Sequence, residues 1–303
     1  MAKNKSIESF KKFMLILPFM VLVALFAYYP LFGWVYAFYD FKPPLSLSQC
    51  DFVGLKWFVS LIENETKREQ LWGVMRNTFA MSGLGIITSW FPLIFAIFLS
   101  ELKSTRFKKI VQTFTTIPNF VSWVLVYSLA YSLFSSSGMI NHFLLQLELI
   151  QTPILFLQSD SHTWLSMWLW GTWKTLGWSS IMYIAAISGI DQEMYEAAKV
   201  DGAKRLQLIR YITIPSLLPT YFILLMLSVA NFLNNGMDQY YVFQNSFNSD
   251  HIQVLDLFVY NLGLKSGGYS LATAISILKS FVSVTLLFIV NGLSKLLRGE
   301  SMI

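Results

Sequence analysis

Charge is scarce in this chain of 303 residues. Asp, Glu, Lys and Arg together make up 13% of it, about half of what a soluble domain carries, too little polar material to coat a water-exposed surface of that size. Cysteine is nearly absent: the single Cys50 excludes a disulfide framework. Nucleotide chemistry is also missing, because no G-x-x-x-x-G-K-[S/T] loop is present to cradle phosphates. There is no G-x-S-x-G elbow. The three histidines, His142, His162 and His251, are scattered, and no His, Cys and carboxylate group has metal-ligand spacing. The expectation is therefore a chain with no catalytic residues, no bound metal and no cofactor of its own. What is abundant is apolar: 55% hydrophobic, 17% aromatic, mean hydropathy +0.53. An all-α polytopic membrane protein is the class that fits.

Six stretches are long and nearly free of charge: residues 13–39, 77–100, 110–134, 163–190, 214–236 and 270–293, interrupted only by Lys174 and Lys279. Each is long enough to cross an apolar core of about 30 Å. The first lacks the short apolar region and small-residue site of a cleaved signal, so it reads as an uncleaved helix, with Pro18 and Pro30 placed to kink it. The reading is one permease-like transmembrane domain over 13–293 between short tails, 1–12 and 294–303.

Orientation follows from the basic residues. The N-tail, 101–109, 191–210 and the C-tail hold 14 of the 22 Lys and Arg; 40–76, 135–162 and 237–268 hold 6. The richer set is expected on the cytoplasmic side, giving N-in and C-in. The net charge of +5 and pI near 9.1 follow from those loops and do not call for nucleic acid. Within the outer segments, Ile252–Leu264 alternates apolar and polar residues and is expected as a helix on the outer interface.

The loop Asp191–Pro219 is the most unusual stretch. Glu193–Val200 reads as a short helix, with carboxylates at its start and Lys199 near its end, as the helix dipole prefers. Asp201-Gly202 is a turn pair, Gly202 being free to take positive φ. Asp201 is expected to cap a second short helix, Ala203–Tyr211, and Pro215 to open the next span. An ordinary re-entry loop is usually much shorter.

Here the sequence resembles a family. E-A-A, three residues, G, nine residues and I-x-[L/I]-P is the signature loop of membrane subunits of binding-protein-dependent ABC importers, and it stands here as Glu196-Ala197-Ala198, Gly202, Ile212 and Ile214-Pro215. Phe52-Val53-Gly54-Leu55, Asn77-Thr78, Ile117–Trp123, Leu133-Phe134-Ser135 with Gly138, and Asn291–Lys295 are similar to the sugar-importing branch, so the resemblance covers essentially the whole chain. It implies a type I importer permease fold in the bacterial cell membrane. It also implies a second permease subunit as heterodimer partner, two cytosolic ATPase subunits carrying ATP and Mg²⁺, an extracytoplasmic sugar-binding protein and an oligosaccharide substrate. Glu193, Glu196, Ala197, Ala198, Asp201 and Gly202 would form the coupling element that seats in the ATPase.

Five of the ten tryptophans lie between Trp164 and Trp178. Indole faces suit sugar C–H surfaces, while for Trp164 and Trp168, nearest the span end, an aromatic belt is an equally open reading. Trp173 and Trp178 lie deeper, about 15–22 Å in by the helical rise. Gly177 is expected to open space beside them. Ser228, Asn231, Asn234 and Asn235 place polar groups in the fifth span, where they are costly unless they face the bundle interior. The resemblance to maltose-type permeases implies pathway positions at Trp173, Leu176, Gly177, Ser228, Asn231 and Phe232. Lys174 and Lys279 are expected to face a polar cavity or to reach carbonyls or a partner carboxylate.

Two other readings stand beside the sugar permease. One is an importer subunit for a different solute, such as peptide or phosphate. The other is a lone secondary transporter, which the absence of Asp and Glu from every span disfavours. The orientation is testable in a Cys50→Ser background. Glu63→Cys should react with an impermeant maleimide on intact cells, and Arg106→Cys only after permeabilisation; the opposite pattern would invert the assignment.

Overall fold

The computed structural model describes residues 2–298; Met1 and residues 299–303, the extremities of the two expected tails, lie outside the described residues. The described residues are helical apart from loops and one isolated bridge between Tyr39 and Phe52. They form two compact units, Met1–Arg68 with Val259–Ser280 and Glu69–Phe258 with Phe281–Ile303.

In the first unit, α1 (Ala2–Val23) widens into a π-turn at Ala24–Tyr28 and tightens into a 3₁₀ segment at Tyr29–Phe38. Pro30 explains the change of pitch: it has no amide to donate, and its ring crowds the carbonyl four residues back, so the regular ladder cannot run through it. The apolar side chains of this helix stay uncovered by the chain, with Phe26 at 78% exposure. The Phe52–Leu55 motif turns the backbone. Gly54 adopts φ +57°, and the amides of Val53 and Gly54 both donate to Phe38 O at 2.9 and 3.2 Å. Helix α2 (Lys56–Glu63) follows. Phe41 N donates to Ser270 Oγ at 3.0 Å, and the rings of Phe41 and Tyr269 meet edge-on at 5.9 Å.

The second unit takes most of α3 (Glu65–Ile87) and then α4 (Phe91–Ser100), α5 (Thr105–Thr116), α6 (Trp123–Phe134), α7 (Met139–Gln146), α8 (Thr163–Ser188), α9 (Gln192–Val200), α10 (Arg205–Leu208), α11 (Ile214–Ala230), α12 (Asp238–Phe243), α13 (Ser249–Ile252) and α14 (Leu255–Tyr260), whose last two residues pass into the first unit; α15 (Tyr269–Arg298) completes the chain. Helix α8 is central, packed by α4, α5, α11, α12 and α13. Two apolar clusters flank it, one around Val126, Met167, Phe243, Ile252 and Leu257, the other around Leu93, Ala96, Tyr183 and Leu217.

Among the described residues five helical stretches are long and apolar enough to cross a membrane: Lys12–Phe38, Glu65–Ser100, Trp123–Gln146, Arg205–Ala230 and Tyr269–Gly292. The expected fourth span is not one of them. It forms a 26-residue helix, α8, but carries Lys174 and many Thr, Ser, Gly and Trp residues. A helix surrounded by protein need not be apolar all round.

The expected third span, 110–134, is broken. Helix α5 ends at Thr116, a 3₁₀ turn covers Ile117–Phe120, and α6 starts only at Trp123. Pro118 and the Ser122 N-cap, whose Oγ accepts from Leu125 N at 3.4 Å, account for the break. The break frees carbonyls, and Lys174 answers them: its Nζ donates to Pro118 O, Asn119 O and Val121 O at 3.0, 2.7 and 2.7 Å. All three ammonium protons are thereby used, and the group also lies 5.4 Å from the Trp123 ring centroid. Lys174 is buried and reaches carbonyls, one of the roles expected for it.

Two further expectations change. The fifth span ends at Ala230, so Asn231–Gly236 are outside the helix. Asparagine side chains compete with the ladder for backbone partners, and Gly236 adopts φ +71°. The segment beginning at Ile252 is not an interfacial helix: Ile252, Val254, Leu255 and Leu257 are all buried, and the helical turns α13 and α14 wedge them into the core. Period-two alternation reported burial here, not a lipid-facing side.

Lys174→Met should leave Asn119 O and Val121 O without the Lys174 donor and Pro118 O with only the Val121 amide at 3.2 Å, each lost partner costing about 1–3 kcal/mol when buried from water. The expected outcome is a lower yield of monodisperse protein and a fall in detergent Tm of several degrees; an unchanged Tm would show that the break is held by other contacts.

Candidate functional site

A cavity of about 780 Å³ opens within the second unit, against the long helix α8. That volume is in the range of small-molecule sites. Its α8 wall is set by helical spacing: Trp168, Gly171, Thr172, Thr175, Leu176, Trp178, Ser179 and Met182 recur at three- and four-residue intervals on neighbouring faces. Thr88 and Ser89, between α3 and α4, add hydroxyls, and Ser228, Asn231, Asn235, Asp238 and Gln239 close the other side.

Secondary contacts orient these groups. Trp168 Nε1 donates to Thr88 Oγ1 at 2.9 Å. Gln239 Nε2 donates to Met167 O at 2.6 Å, and its amide packs over Gly171, where a Cβ would lie in ordinary contact, 3.4 Å from Gln239 Oε1. Asn231 caps α11 by donating from Nδ2 to Leu227 O at 3.0 Å. Asn235 Nδ2 donates to Ser82 Oγ at 2.9 Å, and Ser82 Oγ in turn donates to Phe232 O. Burial and the nearby Asp256 carboxylate hold the Tyr240 phenol above its ordinary pKa, so it stays neutral. Apart from the Asp238 carboxylate, the wall is thus a set of oriented neutral dipoles between indole and aliphatic surfaces.

Of the six expected pathway positions, Leu176, Ser228 and Asn231 line this cavity. Trp173 does not: it faces a second, mostly apolar cavity of about 940 Å³ with Leu133, Phe134, Leu169 and Trp170. Phe232 packs against Phe79, ring centroids 5.4 Å apart. Gly177 does not open space. A Cβ there would lie 2.2 Å from Thr115 O, so the glycine lets the α5 backbone sit directly on α8. Trp164 is tied within the protein, its Nε1 donating to His251 O at 2.9 Å. Trp178 does lie on the cavity wall, half exposed, with Phe120 edge-on at 5.6 Å. Gln239 and Thr175 escaped the sequence reading. The turn that returns Gln239 to α8 leaves no periodic trace, and a threonine in a span has an ordinary alternative, the bond from Thr175 Oγ1 to Gly171 O at 2.8 Å.

At another place in the same unit lies α9. Asp191 caps its start, Oδ1 accepting from Glu193 N at 3.0 Å. Its end is a full glycine cap: Gly202, at φ +82°, donates to Lys199 O at 3.0 Å, and Ala203 N donates to Ala198 O at 2.9 Å. Asp201 is the C-cap of α9 and not the cap of the next helix. That helix, α10, starts at Arg205, with Gln207 Oε1 accepting from Lys204 N at 2.6 Å, and continues through a π-turn at Ile209–Thr213 into α11. Tyr195 and Ala198 turn toward the protein, Tyr195 Oη bonding with Thr213 Oγ1 at 2.9 Å. Glu193, Glu196, Ala197 and Val200 form the opposite, exposed face at spacing i, i+3, i+4, i+7, with Val200 88% exposed. Arg205 anchors the following turn, Nη2 donating to Glu101 O at 2.6 Å while Nε pairs with the Glu101 carboxylate.

Residues 93–298 match the family described as binding-protein-dependent transport system inner membrane component. Protein LplB of Bacillus subtilis (strain 168) is 34% identical over 286 residues, 93% of this chain and 88% of that protein. The polygalacturonan/rhamnogalacturonan transport system permease protein YteP of the same organism is 34% identical over 96% of this chain and 89% of its own length. The fold is similar to a chain of a bacterial ABC transporter involved in import of the acidic polysaccharide alginate, with TM-score 0.84 and 28% identity over 98% of this chain and 100% of that one. That likeness extends to an alginate transporter in complex with an alginate pentasaccharide-bound periplasmic protein, at TM-score 0.85 and 28% identity, covering 99% of each chain.

Proposed function

The chain belongs to the binding-protein-dependent transport system inner membrane components, and from that premise we propose that it is one half of the translocation pathway of an ATP-driven oligosaccharide importer. It is a multi-pass protein of the bacterial cell membrane. The observation that carries the sugar reading is the cavity on α8, where indole faces and oriented neutral dipoles meet in a volume suited to a short saccharide. The sugar transport named for YteP and for the alginate importer supports it.

The working arrangement has six spans. α8 is the fourth, shielded by its neighbours, and α5, the 3₁₀ turn and α6 together serve as a broken third. The loop contacts support the grouping of the loops into two sides, and the basic residues assign the N-in, C-in orientation. Glu101 and Arg205, from two basic-rich loops, bind each other. His251 Nδ1 lies 2.6 Å from Asp160 Oδ2, and Asn245 Nδ2 donates to Leu157 O at 2.9 Å, both between segments expected outside.

The partners in this arrangement are a second permease, two ATPase subunits binding ATP and Mg²⁺, and an extracytoplasmic sugar-binding protein. The periplasmic protein bound in the related transporter supports the last of these. Work enters through α9. Its exposed face seats on the ATPase, and its inner face is tied to the start of α11 by the Tyr195–Thr213 bond. Helix α11 ends at Ala230, with its C-cap Asn231 on the cavity, so a displacement of α9 is carried along one element to the saccharide.

The test is uptake by the complete importer in proteoliposomes. Gly202→Pro cannot adopt the positive φ of the cap and should abolish uptake with the protein still in the membrane. Glu196→Lys should reduce it less. Asn231→Ala should lower uptake about tenfold while leaving basal ATP hydrolysis in place. Normal uptake with Gly202→Pro would refute the coupling role, and normal uptake with Asn231→Ala would move the saccharide off this cavity.

A further inference from the structure

Among the described residues, no basic side chain lines the cavity. Every position of its wall is neutral except Asp238, a single solvent-exposed carboxylate at the first turn of α12. Negative charge entering a partly desolvated cleft needs a counter-charge, and an uncompensated carboxylate in its wall repels it. The ammonium carried by α8 itself, Lys174, spends all three protons on the carbonyls of Pro118, Asn119 and Val121, so it is not available to receive a uronate. Neutral hydroxyls, in contrast, find partners. Gln239 Oε1 stands over Gly171, Ser179 and Asn231 add polar edges, and Trp178 offers a half-exposed indole face.

We propose that this cavity selects uncharged oligosaccharides and discriminates against uronate-containing ones, with Asp238 as the residue that sets the discrimination. The inference rests on the cavity being the saccharide path and adds the substrate's charge class. It separates this chain from the importer of acidic alginate that it resembles in fold and from YteP, whose named polygalacturonan is likewise a uronate polymer. Asp238 acts from the wall by repulsion, so its effect is electrostatic and falls as ionic strength rises.

The experiment uses the complete importer in detergent, without the sugar-binding protein, so that the binding protein's own selectivity does not enter. Neutral pentasaccharides of glucose, mannose and galactose and the uronate pentasaccharides of the same sugars are titrated against intrinsic tryptophan fluorescence. Trp178→Phe assigns the signal to the cavity. At least one neutral pentasaccharide should bind with a Kd at least tenfold below that of its uronate counterpart. Asp238→Asn should shrink that ratio at least threefold, and 0.5 M NaCl should shrink it in the wild type but not in the variant. Equal or tighter binding of the uronates, or a ratio unmoved by Asp238→Asn, overturns the charge selection and leaves the sugar reading intact. A signal unaffected by any of the six pentasaccharides refutes the sugar reading itself, and the charge selection with it.

Discussion

The contact on which the second unit depends is the Lys174 ammonium. A span interrupted at Pro118 exposes carbonyls in a place where water is not at hand, and a charge buried in a helix bundle is costly alone. Each fault cures the other. Three donors meet three acceptors at 2.7–3.0 Å, and the 3₁₀ turn becomes a fixed part of the wall of α8. One turn farther along, Gly177 lets the α5 backbone rest on α8 with no side chain between. Together they hold the broken span close and set Phe120 edge-on against Trp178. The cavity wall is thus built from a defect in one span and its repair by the next.

The same economy appears at the other end of the unit. Helix α9 is only nine residues long, too short to be stable alone in water, yet both ends are capped and one face is bonded to the start of α11. It is therefore a stiff lever with an uncommitted outer face. The cavity and the lever share α11, one end beside Thr213 and the other at Asn231. In the proposed function such a shared element carries work from an ATPase to the cavity, since this chain has no phosphate loop of its own.

Much of this was legible in the sequence, unevenly. The charge-free stretches found the long helices because hydrophobic length is a direct physical requirement of the membrane. The signature loop placed α9 and the Gly202 cap because a left-handed residue after a short helix leaves a plain trace. What the sequence hid were events set by tertiary contacts. The break at Ile117–Phe120 looked like continuous span because its carbonyls are satisfied by a lysine more than fifty residues away. The end of α11 at Ala230 was obscured by apolar residues continuing through Phe232 and Leu233. Gly177 signalled an absent side chain, but not that a neighbouring backbone fills the place. Gln239 joined the site through a turn, where no periodicity operates.

The central claim is that α9 transmits ATPase work through the face bearing Glu193, Glu196, Ala197 and Val200. A photoreactive residue placed singly at Ala197, Val200 and Lys199 in the assembled importer tests it most directly. The account predicts strong cross-links to the ATPase subunit from Ala197 and Val200, little from Lys199 on the flank of the helix, and a change in yield when ATP is bound. Cross-links that fail to appear at Ala197 and Val200, or that are equal at all three positions and indifferent to ATP, would contradict it.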